Sequence, residues 1–287
     1  LQSLKKIPLC LAIFIHTGSA YSNADSYLVR DRSDAAGFKN HLIVSDNRRT
    51  IRKTIYLVGQ DNPSPKQVIY IFHGYKPKGD PYKQSPAYFI KNWQLGDMAA
   101  KFSVLFVLPD NGDSVYPISR INEPLSDMGT LEILHRIIRE KFSSAGRELS
   151  IGFSAGVEGA VKFAIINDIN EIVAISGNFD LHSIPAGEMS FHIKSFGTEK
   201  DILERENPIT LLRKNPKTIY LFCEEKNDAN VRQSQALIDA AIPGIRIIDF
   251  RSLGKGFGHD WSFLTSPGVI GNLEKIISGE AHAPDGK

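Results

Sequence analysis

The sequence predicts an α/β fold: a mostly parallel, twisted sheet of about eight strands with helices on both faces. Three observations predict it. Short apolar, β-branched runs recur along the chain, each bounded by polar, glycine or proline residues. From the middle of the chain onward these runs alternate with stretches of helical periodicity. The chemically distinctive residues His73, Asp110, Ser154, Asp228 and His259 fall where runs end, and open α/β sheets gather their ligands at the carboxyl ends of the strands.

The 287 residues are 42% hydrophobic and 23% charged, which is globular composition. A net charge of +2 points to no nucleic-acid partner. Residues 1–24 differ from the rest. Lys5 and Lys6 precede the apolar run 7–15, and Thr17-Gly18-Ser19-Ala20 follows. That is the pattern of a secretory signal peptide, with Ala20 and Ala24 as candidate ends. The run is well short of the roughly 20 residues a spanning helix needs, and no later segment reads as a span. The mature protein is therefore expected to be secreted or periplasmic, with no stable membrane span. Cys10 lies in this leader. Cys223 ends an apolar run and reads as a small buried core residue without a disulfide partner.

Strands are predicted at 41–44, 54–58, 68–72, 104–108, 149–153, 172–175, 218–223 and 245–250. The first of them follow one another like hairpins; the later ones alternate with helices. The helix over 126–142 rests on Met128, Leu131, Leu134, Ile138 and Phe142 at helical spacing, with Ser126 or Asp127 as its cap. In 156–166, Val157, Val161, Ala164 and Ile165 face one way. Further helices are expected over 230–241 and 269–277. The polar, weakly periodic stretch 178–215 reads as a cap-like insertion in a domain over 25–278, and 279–287 reads as a flexible tail.

Residues 152–156 are Gly-Phe-Ser-Ala-Gly, between a predicted strand and a predicted helix. A serine in a sharp strand-to-helix turn projects its hydroxyl above the sheet, and Gly152 and Gly156 leave room where side chains would collide. Ser154 is thus the candidate nucleophile. It needs a base, and three later histidines compete: His182 and His192 in the irregular insertion, and His259 in a glycine-rich loop after the last strand. Position favours His259. The acid that orients the imidazole is expected after the 218–223 strand, among Glu224, Glu225 and Asp228. Asp228 is favoured because it opens Asp-Ala-Asn-Val before a helix, with Val231 packing beneath the loop; Glu225 is second, and Glu224 and Glu225 otherwise read as solvated. An oxyanion needs two donors. These are assigned to the N–H groups of Ala155 and of Tyr75, which follows His73 and Gly74 at the end of the 68–72 strand. Gly74 permits the bend there, and His73 reads as a structural support of that loop.

These motifs together resemble the α/β-hydrolase superfamily, in particular the esterase D, S-formylglutathione hydrolase and feruloyl esterase group. The resemblance is carried by His73-Gly74, LPDNGDS at 108–114, GFSAG at 152–156, Ile175-Ser176-Gly177, ENP at 206–208 and GHDW at 258–261. It implies carboxylic-ester hydrolysis by an exposed serine without a cofactor. Two departures stand out. Many members carry Ser-Met-Gly-Gly at the elbow, where this chain has Ser154-Ala155-Gly156-Val157. Many have glycine after the strand before the acid, where this chain has Glu224-Glu225, and a one-residue shift would put Asn227 at the acid position.

The resulting expectation is a serine carboxylesterase with a Ser154–His259–Asp228 triad, acting on a small-molecule or glycan-linked ester. The alternatives are an acyltransferase using the same residues and an inactive ligand-binding protein on the same scaffold. No His-Glu-x-x-His pattern or cysteine pair suggests zinc, and 110–113 lacks the spacing of a calcium loop. Trp93 and Trp261 read as core residues before they read as a binding wall.

Overall fold

The computed structural model describes residues 25–45, 48–74, 85–110, 126–184 and 200–281. They build one nine-stranded sheet: β1 Asp25–Arg30, β2 Lys39–Ser45, β3 Thr50–Val58, β4 Gln67–Phe72, β5 Val104–Asp110, β6 Arg147–Phe153, β7 Glu171–Ile175, β8 Thr218–Phe222 and β9 Arg246–Asp249. The spatial order is β1-β2-β3-β5-β4-β6-β7-β8-β9. β1, β2 and β3 run antiparallel, β3 pairs antiparallel with β5, and every pairing from β5 through β9 is parallel. All eight sequence-predicted strands are present. The ninth, β1, has only Tyr27, Leu28 and Val29 as an apolar run and lies at the sheet edge, paired on one side by β2, so its sequence carries little of the burial that marks the others.

The central strands are buried on both faces. β4 is buried at every position, and its side chains alternate between two cores. Val68, Tyr70 and Phe72 join one cluster with residues of α3 (Asp127–Lys141), α4 (Gly156–Ile166), α6 (Pro208–Lys214) and α7 (Asp228–Asp239). Ile69 and Ile71 join the other with α1 (Pro86–Asn92), α2 (Leu95–Phe102), α8 (Trp261–Leu264) and α9 (Pro267–Ser278). Helices therefore cover both faces, as the alternating pattern requires. Ser126 caps α3 by accepting from the Gly129 N–H at 3.1 Å. The short pair α1 and α2 has no long periodic signature. It starts with Pro86 in the first turn and is broken at Gln94, which takes a left-handed conformation. Trp93 between them is core, its indole N–H donating to the Leu264 carbonyl at 3.2 Å.

Chain order reverses around β4: the sheet grows one way through β5 and the other way through β6. That topology opens a crevice at the carboxyl ends of β4 and β6, where His73-Gly74 and Ser154 emerge. The expected insertion 178–215 contains a 3₁₀ turn at Leu181–Ser183, α5 (Lys200–Glu206) and α6; residues 185–199 lie outside the described residues. Where it is described, it is pinned to the body. Gln233 on α7 accepts from the Phe179 and Asp180 N–H groups, each at 2.8 Å. Lys162 on α4 pairs with Glu206 at 2.9 Å and lies 3.8 Å from Glu158, all three side chains at 0% exposure. The expected leader, 1–24, and tail beyond Ala281 lie outside the described residues.

A buried ion pair contributes little over an apolar packing but is costly to halve. Lys162→Met leaves two buried carboxylates without their cation and is expected to lower unfolding stability by about 3–5 kcal/mol in urea titration.

Candidate active site

The turn between β6 and α4 is dictated by two close approaches. A Cβ on Gly152 would meet the Gly156 carbonyl oxygen and the Val157 Cα at 2.5 Å, and one on Gly156 would meet the Phe72 and His73 carbonyl oxygens. Only glycine lets α4 start this close to β4 and β6. Ser154, between them, is held in the left-handed region at φ 55°, a conformation costing on the order of 1–3 kcal/mol outside glycine. The Ser154 N–H bonds to the Ile175 carbonyl at 2.9 Å, and its own carbonyl accepts from Val157 at 3.0 Å. The hydroxyl is left partly exposed above the strand ends.

His259 arrives from the loop after β9. That loop is stitched to the one after β8: Glu225 N–H to Gly254 carbonyl, Lys226 N–H to Phe257 carbonyl, each 3.0 Å, and Gly256 N–H to the Glu225 carboxylate at 2.8 Å. Gly254 has no room for a side chain against the Cys223 carbonyl, and Gly256 takes φ 80°. Asp260 caps α8 through the Ser262 N–H at 2.8 Å, which fixes the residue next to the imidazole. Phe153 stacks on the His259 ring, centroids 4.9 Å apart at 24°. Beyond it, Phe89, Trp261 and Tyr88 continue an aromatic cluster, with Tyr88 and Trp261 at 4.2 Å. Trp261 is thus partly exposed near the histidine, whereas Trp93 is buried.

A hydroxyl, an imidazole and a carboxylate stand in hydrogen-bonded series. His259 Nε2 lies 3.0 Å from Ser154 Oγ, and His259 Nδ1 lies 2.9 Å from Glu224 Oε1. The carboxylate accepts, so the ring proton sits on Nδ1 and Nε2 is left to accept from the serine hydroxyl. The acid of this series is Glu224, which corrects the sequence expectation of Asp228. Asp228 is exposed in the first turn of α7, behind the Asn227 cap, where a carboxylate suits the helix dipole. The polar Asp-Ala-Asn-Val run is a helix start, and Val231 is 37% exposed, not packed beneath the loop. Glu225 is exposed and holds Gly256; Asn227 is the cap. Glu224, expected to be solvated, is 0% exposed.

Three donors surround the Glu224 carboxylate. Beside His259, the Asn230 side-chain amide donates to Oε1 at 2.7 Å, and the Ser176 hydroxyl donates to Oε2. Burial pushes the carboxyl upward, but the hydrogen bond and charge of His259, with the Ser176 and Asn230 donors, outweigh it and hold Glu224 below the ordinary value of 4.5. Burial also pushes the neighbouring Cys223 thiol up to about 11, as suits an inert core cysteine. Ser176 and Asn230 carried no signal in the reading of catalytic types, although Ser176 lies in the Ile-Ser-Gly motif.

The remaining expected site residues divide. His73 is buried, its Nδ1 donates to the Gly74 carbonyl at 2.7 Å and so braces the loop after β4, and its Nε2 faces the Asp110 carboxylate at 3.5 Å without a hydrogen bond. Ala155 immediately precedes α4, with no side-chain cap. Tyr75, His192 and 111–114 lie outside the described residues. His182 is exposed and pairs with Glu204 at 3.0 Å. Among the described residues, no cluster of three or more His, Cys, Asp or Glu could hold a metal ion, and no helix is long and apolar enough to cross a membrane.

The chain matches no family model and no curated protein sequence. Solved structures do match. An S-formylglutathione hydrolase from Agrobacterium tumefaciens is similar at TM-score 0.60 and 16% identity, over 94% of this chain and 99% of that one. The capsule O-acetyltransferase of Neisseria meningitidis serogroup A is similar at TM-score 0.56 and 14% identity, over 86% and 97%. A ferulic acid esterase is similar at TM-score 0.52 and 13% identity, over 90% and 98%. With the sheet order described above, these define the α/β-hydrolase fold for this chain.

Gly156→Ala would drive a methyl group into two backbone oxygens. It is expected to cost about 1–3 kcal/mol or more, measured as a lowered Tm against an Ala control at Gly271, where a Cβ meets nothing within 4 Å.

Proposed function

We propose that the protein is a serine carboxylic-ester hydrolase in which Ser154, His259 and Glu224 act together. The observation that carries this is the unbroken series Ser154 Oγ, His259 Nε2, His259 Nδ1, Glu224 Oε1, with both contacts at or below 3.0 Å. Ser154 attacks the ester carbonyl as His259 Nε2 takes its proton. Glu224 holds the resulting imidazolium, which returns the proton to the leaving alcohol. Water then enters by the reverse route, and the acyl-enzyme is released as the acid. The Ala155 N–H, at the start of α4, is one donor to the oxyanion, and Tyr75 is assigned as the second. The left-handed Ser154 backbone and the glycines that permit it support the nucleophile role. The leader-like start supports action on esters outside the cytoplasm.

The fold likeness to a capsule O-acetyltransferase favours one second reading, in which an alcohol replaces water as acyl acceptor. Adding acceptor alcohols to the assay distinguishes the two: a transferred ester product supports transfer, and free acid alone supports hydrolysis. A carboxylate 2.9 Å from the imidazole supports an active site over an inactive ligand-binding protein.

A fluorophosphonate probe is expected to label Ser154, located by mass spectrometry, and Ser154→Ala to abolish hydrolysis of p-nitrophenyl acetate. Labelling at another residue, or none, overturns the assignment. Glu224→Gln is expected to lower kcat by about 10³–10⁴-fold, whereas Asp228→Asn keeps it within about threefold; the reverse ranking would restore the aspartate.

A further inference from the structure

We propose that Ser176 and Asn230 are positioning residues, which clamp the two oxygens of Glu224 and so set the orientation of His259 toward Ser154. The inference rests on the serine-hydrolase reading above.

A carboxylate on the long glutamate side chain has more rotamers than an aspartate has, and a buried one needs its oxygens satisfied. Glu224 leaves the end of β8 at zero exposure. Its Oε1 takes the Asn230 amide at 2.7 Å together with His259 Nδ1 at 2.9 Å, and its Oε2 takes the Ser176 hydroxyl. The three donors come from three separate elements: the end of β7, α7 and the loop before α8. Asn230 Nδ2 is also 3.0 Å from His259 Nδ1. Both nitrogens carry protons in the working tautomer, so this is two donors converging on one oxygen, not a bond between them. A rotation of the carboxylate would break both arms at once.

Ser176 adds an independent sign. It sits at φ 54° with its N–H bonded to the Phe222 carbonyl at 2.9 Å. Glycine would take that backbone without strain. A serine there accepts a conformational cost and offers a hydroxyl to Glu224 in return, as strained residues at active sites do. Role and backbone therefore separate in one substitution. Ser176→Gly relieves the left-handed strain and removes only the clamp, so a purely structural serine would leave activity intact.

The titratable groups around the carboxylate are His259, Cys223 immediately before it in the chain and, past the imidazole, Asp260. Removing a neutral donor leaves the negative charge less shared, so the Glu224–His259 pair holds its proton more tightly as a unit. The acid limb of the kcat/KM–pH profile then moves to higher pH.

The experiment measures wild type, Ser176→Gly, Ser176→Ala and Asn230→Leu with p-nitrophenyl acetate from acid to neutral pH, alongside Tm and fluorophosphonate labelling. Ser176→Gly is expected to leave Tm within a few degrees of wild type, the relieved strain offsetting the lost hydrogen bond to the buried carboxylate, and to lower kcat about ten- to a hundredfold. KM stays nearly constant and the acid limb shifts upward. Ser176→Ala, which keeps the left-handed strain but lacks the hydroxyl, shifts the limb as Ser176→Gly does. Asn230→Leu shifts it in the same direction. If wild type is active and labels at Ser154 while Ser176→Gly matches its kcat and pH profile, the clamp is overturned and the hydrolase reading stands. If wild type neither labels nor hydrolyses, the hydrolase reading falls and takes the clamp with it.

Discussion

A negative charge buried without exposure at the end of β8 is the constraint around which this site is organised. A carboxylate in that position is tolerated only where donors replace its water. They reach it from β7, from α7 and from the loop after β9, so the charge can be housed only when three elements of the sheet's far half are in register. The imidazole is one of the donors. Satisfying Glu224 and aiming His259 are thus one physical event. The cost of burying the group and the benefit to the serine are set by the same contacts.

The other half of the site is set by backbone. Gly152 and Gly156 allow α4 to begin against β4 and β6, and the left-handed serine is what remains when the chain turns in that space. Phe153, preceding the serine, stacks on the histidine ring, so the strand that delivers the hydroxyl also supports its partner. Among the described residues, none of the hydrogen bonds linking Ser154, His259, Glu224, Ser176 and Asn230 comes from the insertion. Where it is described, that segment is pinned through Lys162 and Gln233, on the helices that follow the elbow and carry Asn230.

How much of this could be read in advance follows from where each requirement is written. The elbow is a local demand on five consecutive residues, so Ser154, Gly152 and Gly156 were legible. His259 was legible because a glycine-rich loop after the last strand is local as well. Eight strands announced themselves as short apolar, β-branched runs, most plainly the central ones that are buried on both faces. Glu224 did not. Three carboxylates crowd 224–228, and what selects among them is Ser176, 48 residues upstream, and the depth of the strand end. A glutamate before a polar run ordinarily faces water. Here the general rule lost to a tertiary hydrogen-bond set. Edge strand β1 and the short helices α1 and α2 were missed because short or one-sided elements carry too little periodicity.

The paired loops after β8 and β9 carry a consequence for variation in this chain. Because Glu225 and Lys226 bond the backbone of Gly254 and Phe257, the acid-bearing and histidine-bearing segments behave as a single two-ply ribbon. Inserting or deleting a residue in one ply shifts the other by the same step. Changes in length are then tolerated only as matched pairs, while substitutions that keep Glu224, Glu225, His259 and the ribbon's glycines leave the two plies in step.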